Sequence, residues 1–259
     1  SIGEQNLTGI LVDGSGNLVG SSDGSGTTIL TSAEYNAALA GTTPIYFRPP
    51  TDYSGNVSLN IVAVVQEPNG STATSASSTF SFTLDPVSEM PDVSLTDVSV
   101  VEFTNDSSID DVTTYKTDLS NITVSLSDTS NLSEVTIVLL AADSVTGNDP
   151  GFTLDATSVT SFDSSYNFTV SSTSPLTIKV SGTVADGSSL GTDLVADMTT
   201  LLSEVKLVPP EDYSGTSTIT TSVTSRETGA EESPATTDNF DITVSAVAET
   251  PTVNILSSL

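Results

Sequence analysis

Along much of the chain apolar residues recur at every second position, the period of a strand that buries one face. Ile122, Val124 and Leu126 alternate with polar neighbours, as do Phe168 and Val170, Ile178 and Val180, and Phe240, Ile242 and Val244; Ile219 sits in a further stretch of this kind. Strands of about 5 to 10 residues, separated by turns rich in Asp, Gly, Ser and Asn, predict an antiparallel β-sandwich. The period changes at 192–204, T-D-L-V-A-D-M-T-T-L-L-S-E, where apolar side chains fall at 194, 195, 198, 201 and 202. That spacing predicts a short helix capped by Thr192 or Asp193. Its counterpart is S-A-E-Y-N-A-A-L at 32–39.

The two helical segments belong to an internal repeat. Residues 49–55 read P-P-T-D-Y-S-G and residues 209–215 read P-P-E-D-Y-S-G, an offset of 160 residues. Without a gap the same offset aligns Glu67 with Glu227, Phe80 with Phe240, Val87 with Val247, Glu89 with Glu249, Pro91 with Pro251 and Val93 with Val253. Upstream it holds at Leu30 with Leu190, Ile45 with Val205 and Phe47 with Leu207, and then blurs. Residues 1–90 therefore read as the C-terminal part of one repeat, truncated or split, 91–250 as a complete repeat, and 251–259 as the opening strand of a next one. The linkers, S-E-M-P-D and A-E-T-P-T, are short and contain proline, which predicts stiff joints.

Composition narrows the chemistry. The 259 residues carry 33 Asp plus Glu against 5 Lys plus Arg, a formal charge of −28, so there is no basic surface for nucleic acid. Neither His nor Cys is present, which removes the usual zinc, copper, haem, iron–sulfur and thiol chemistries and the commonest general base. An apolar fraction of 36% is enough for a packed core. With no run of 18 apolar residues there is no candidate transmembrane helix, and Ser1-Ile2-Gly3-Glu4 does not open like a signal peptide, so a soluble piece, intact or excised, is expected. Two carboxylates about 4 Å apart repel by roughly 4 kcal/mol at an effective dielectric near 20. Any cluster of them needs protonation, high salt or a hard divalent cation, of which calcium is the most available outside cells.

Strand length indicates where acids could cluster. A strand of about ten residues after Ser217 spans some 33 Å, which sets Asp212 and Glu227 at opposite ends of a repeat. The next strand returns, bringing Glu249 towards Asp212 and, in the preceding repeat, Glu89 towards Asp52. Glu227 then faces the joint where Glu89 enters.

P-P-x-D-Y-S-G, followed by a strand ending in Glu, a further strand and A-E-T-P-T, resembles the cadherin-like and Ig-like repeats of large bacterial RTX-type surface adhesins. The segment L-S-D-T-S-N-L at 126–132, followed by Ser133-Glu134, is similar to an acidic loop of those repeats, and P-G-F-T-L at 150–154 matches their P-x-G-x-x-L turn loosely. The likeness covers most of 30–255. It implies tandem Greek-key sandwiches with one short helix per repeat, at the surface of a bacterial cell, with calcium at the joints. By position the internal joint would be held by Asp52, Glu89, Asp128, Glu134 and Glu227, and the C-terminal one by Asp212 and Glu249 with Glu102; Glu67 enters the set as the counterpart of Glu227. Ser130 and Asn131 stand where those repeats often carry Asp and Gly.

Plainer roles compete for the same residues. Asp52 and Asp212 could cap turns, and Glu67 and Glu227 could be solvated loop acids. Asp13-Gly14-Ser15-Gly16-Asn17 and Asp23-Gly24-Ser25-Gly26 look like half an EF-hand but lack its helices, so turns are expected. Tyr53 and Tyr213 read as core or corner aromatics. Catalysis by paired carboxylates is disfavoured by the absence of Trp platforms, and Lys116, Lys179 and Lys206 read as isolated. The leading expectation is a calcium-rigidified extracellular spacer, with neighbouring repeats as its partners. The alternatives are a filament subunit joined to identical chains by strand addition, and a module that binds glycan or protein at a cell surface, located before Thr31.

Overall fold

The computed structural model describes residues 9–22, 27–51, 53–103, 115–129, 131–160, 166–182 and 190–248. Asp52, Ser130, Glu249, the D-G-S-G at 23–26 and the expected opening strand at 251–259 lie outside the described residues. The chain divides into two compact units, Ser1–Asp85 and Pro86–Leu259, and β-strands dominate both.

The first unit contains β1 (Ile10–Val12), β2 (Ser21–Ser22), β3 (Thr28–Ile29), α1 (Ser32–Leu39), β4 (Tyr46–Arg48), β5 (Gly55–Ile61), β6 (Val64–Gln66), β7 (Thr72–Thr74) and β8 (Ser78–Leu84). They pair two by two, β1 with β4, β2 with β3, β5 with β8 and β6 with β7, all antiparallel. Thr31 and Glu34 close a capping box on α1: the Glu34 amide donates to Thr31 Oγ1 and the Thr31 amide to the Glu34 carboxylate. None of the side chains of α1 is buried. Phe47 and Phe82 meet edge to face at 5.8 Å, and Val12 and Val57 are the buried apolar residues described in this unit.

The second unit contains β9 (Asp92–Leu95), β10 (Val98–Val101), β11 (Thr117–Asp118), β12 (Ile122–Ser125), β13 (Leu132–Asp143), β14 (Thr153–Asp155), β15 (Asn167–Ser171), β16 (Leu176–Ser181), α2 (Leu190–Glu204), β17 (Lys206–Val208), β18 (Gly215–Glu227) and β19 (Thr236–Ser245). A six-stranded sheet runs in the order β10-β19-β18-β13-β16-β15, beside the smaller sheets β9-β12 and β11-β17-β14. Period-two burial along β18 alternates with half-exposed positions, so one face of the large sheet is sealed. Against the core of this unit pack α2, which touches β11, β12, β13 and β16, and the β9-β12 pair. Leu194, Met198, Leu201 and Leu202 of α2 are buried, as helical spacing requires.

Three expectations change. The helix begins at Leu190, so Thr192 and Asp193 lie in its first turn instead of at its cap. The sheet is not wholly antiparallel: β10 runs parallel to β19, with Val98 opposite Ile242 and Val101 opposite Ser245. Glu134, expected in an acidic loop, lies in β13, the longest neighbour of β18, after a register shift between Leu132 and Glu134.

Candidate functional site: the acidic end of the second unit

At about 3.3 Å per residue the 13 residues of β18 span roughly 40 Å. The strand thus separates Asp212 from Glu227, as its length predicts. Glu227 closes β18 opposite Leu132 of β13, and the Thr228 amide donates to the Asn131 carbonyl at 2.8 Å. The incoming chain is tied to this end. The Glu227 amide donates to Ser88 Oγ at 2.9 Å, Ser88 Oγ donates to the Glu231 carbonyl at 2.6 Å, and Ser225 Oγ donates to the Glu89 carbonyl. The Glu89 carboxylate in turn accepts the Asp128 amide at 2.8 Å and the Ser127 hydroxyl. Residues 88–89, expected as part of a linker, are therefore held within the second unit.

Three of the expected ligands, Glu89, Asp128 and Glu227, are gathered here. Glu227 is 7% exposed, which corrects its reading as a solvated loop acid. Glu134 is a neighbour along β13, but its carboxylate pairs with Lys179 across the β13-β16 register, which neutralises it. Glu67 belongs to the first unit, in the β6-β7 turn, where its carbonyl accepts the Gly70 amide at 2.8 Å; Glu227 accepts the Ala230 amide at 3.1 Å in the equivalent turn. The repeat thus preserves a backbone turn at both glutamates.

Asp212 stands at the far end of β18 with φ 58°, a left-handed conformation that Asp tolerates better than most residues. Its amide donates to the Phe103 carbonyl at 3.0 Å, and Glu102 accepts the Val247 amide at 2.8 Å. Beside it the Tyr213 hydroxyl donates to Asp143 at 2.9 Å and meets Ser217 Oγ at 2.6 Å. Burial pushes the Tyr213 phenol up, while the Thr146 amide and the Tyr213 hydroxyl hold the Asp143 carboxyl below its ordinary range. In the first unit Tyr53 donates to the Asn56 carbonyl at 2.9 Å, so both tyrosines secure corners. Gly55 and Gly215, at φ 120° and 134°, follow them in a conformation that a side chain would strain. Asp13 accepts amides from Ser15 and Asn17 at 2.8 and 2.9 Å, the turn expected there.

Pairing of the lysines is a feature that periodicity could not reveal. Lys116 meets Asp155 at 2.8 Å and Lys206 meets Asp118 at 3.4 Å, around a cleft of about 450 Å³ on the β11-β17-β14 sheet. The hydrogen bond from Lys116 is the main cause holding the Asp155 carboxyl far below its ordinary range, and the same bond raises the Lys116 ammonium. With Lys179 on Glu134 and Arg226 within 3.8 Å of Glu232, each of the four cations of the second unit sits beside an acid.

Oxygen is the donor type that calcium takes. Yet among the described residues no group of three acidic side chains is close enough to hold an ion. Among the described residues the acidic end is therefore a hydrogen-bonded junction without a complete ligand shell. No protein-family model matches this sequence, and no curated protein matches it either.

Proposed function

We propose that the chain is a structural spacer of an extracellular surface protein, built from tandem Greek-key sandwiches of cadherin-like or Ig-like type and stiffened by calcium at the ends of successive repeats. The observation that supports this reading is that the Ser88-Glu89 segment, where the chain enters the second unit, binds the backbone amides of both Asp128 and Glu227, in a protein of formal charge −28. The 160-residue repeat supports a modular role, and the pairing of every cation in that unit leaves the remaining acids to be balanced from solution.

Calcium at this end requires Glu89 to exchange its bonds with Ser127 and Asp128 for the ion, and further oxygens from water to fill the shell. Extracellular modules bind at roughly 10⁻⁴ to 10⁻³ M, so a tenfold excess adds about 1.4 kcal/mol per ion. That is too little to hold the fold and enough to bias an angle between repeats. Small-angle scattering of the whole chain with calcium and with chelator tests this. The maximum dimension is expected to increase with calcium, and to stop responding in Glu89→Gln. A dimension indifferent to the ion in the unaltered protein would remove calcium from the reading.

A further inference from the structure

The two units allow a position-by-position comparison, because β5, β8, β4 and α1 stand 160 residues before β18, β19, β17 and α2. In the second unit the partners of the large sheet are plain: β18 is flanked by β13 and β19, and β19 by β18 and β10. In the first unit β5 and β8 pair only with each other among the described strands. The apolar positions respond accordingly. Phe240 is 2% exposed and its counterpart Phe80 57%; Ile219, Val223 and Ile242 are fully buried, whereas Leu59 and Phe82 are half-buried and Ala63 is exposed. Val57 is buried and Phe82 packs on Phe47, so the face is open towards Ile61, Ala63 and Phe80; such a partly exposed apolar face, beside two edges unpaired among the described strands, is a docking surface.

The register also shows where the equivalence starts. β1 pairs with β4 as Ile10↔Arg48, Leu11↔Phe47 and Val12↔Tyr46, and β14 pairs with β17 as Thr153↔Val208, Leu154↔Leu207 and Asp155↔Lys206. Since Tyr46–Arg48 corresponds to Lys206–Val208, β1 occupies the register of β14. Among the described residues of the first unit no strand stands beside β5 and β8 in the places that β13 and β10 take beside β18 and β19.

We propose that the β5-β8 face binds a polypeptide segment with the sequence pattern of residues 92–143, which adds one antiparallel strand beside β5 and one parallel strand beside β8. The complete repeat supplies the chemistry of this occupant: β13 offers Val135, Ile137 and Leu139 to the core, and β10 offers Val100. A second copy of the chain is a poor source. Its β13 and β10 already seal its own β18 and β19, so lending them would expose as much apolar surface as it covers. The proposal rests on strand pairing and does not involve calcium.

The test extends the full chain with a second copy of residues 91–143 placed directly before Ser1. Residues 1–9 then join the added copy to β1, a connection as long as the nine residues, 144–152, that join β13 to β14. Hydrogen exchange is then compared between the extended and the original chain, with the amides of Val135 to Leu139 in the second unit as an internal control of folding. The proposal expects the amides of 55–61 and 78–84 to slow by about 100-fold or more on extension. It also expects the extension to lose this effect when Val135, Ile137 and Leu139 of the added copy are changed to Ser. Unchanged exchange at β5 and β8, with the control intact, overturns it. So does an unextended chain in which those amides are already protected, whether as a monomer or as a dimer in sedimentation, because the face is then covered without an additional segment.

Discussion

At Thr221 the inner face of β18 buries a hydroxyl that makes no hydrogen bond. An unpaired buried hydroxyl costs roughly 1 to 3 kcal/mol. Thr221→Val is therefore expected to stabilise the second unit by about 1 kcal/mol in urea unfolding; a loss of stability would mean that the hydroxyl has an undetected partner. Asp155 is the opposite case, a carboxylate held by Lys116 and Thr157. Its folded pKa is lowered, so its contribution is complete above the unfolded value of about 3.9 and fades as pH falls through the folded value. Asp155→Asn should cost about 1 kcal/mol at pH 7, as partly exposed pairs do, and the difference from the unaltered protein should shrink below about pH 4. A difference that persists undiminished at pH 2 would assign the cost to packing instead of charge.

At the scale of elements, β12, β15, β16 and β19 are legible in the sequence because each alternates apolar with polar residues. β13 is not, since V-T-I-V-L-L-A-A is apolar on both faces, in a strand with neighbours on both sides. The acids before and within it consequently read as one loop, and the placement of Glu134 against Lys179 was hidden. The parallel partnership of β10 with β19 was equally out of reach, because pairing is a long-range choice. The same element in two settings makes a sharp comparison. Phe240→Ala should destabilise the second unit by about 3 to 5 kcal/mol, whereas Phe80→Ala in the equivalent strand should cost less than about 1 kcal/mol, as at other exposed sites. Equal costs, measured by urea unfolding of each variant, would show that Phe80 is buried in solution.

For the whole molecule the dominant quantity is charge. Thirty-three acids against five cations repel at long range, and the ion pairs of the second unit relieve this only locally. Raising sodium chloride from 0.01 to 1 M shortens the Debye length from about 30 to about 3 Å. The unfolding temperature is expected to rise by about 5 °C or more over that range. If it falls or stays level, short-range pairs outweigh the general repulsion. Screening by monovalent salt acts everywhere, so it is separable from calcium, which is proposed to act at the ends of repeats at millimolar concentration.

The sequence by itself determined the β-rich class, the 160-residue repeat, the positions of the two helices and the separation of Asp212 from Glu227. Those follow from periodicity and from the fixed rise of an extended chain. Only the tertiary structure decided which acids share an end of the second unit, which are neutralised by lysine, and which repeated strands stand uncovered among the described residues. These depend on strand order and register, which bring together residues as distant as Ser88 and Glu227, and no local pattern encodes that choice.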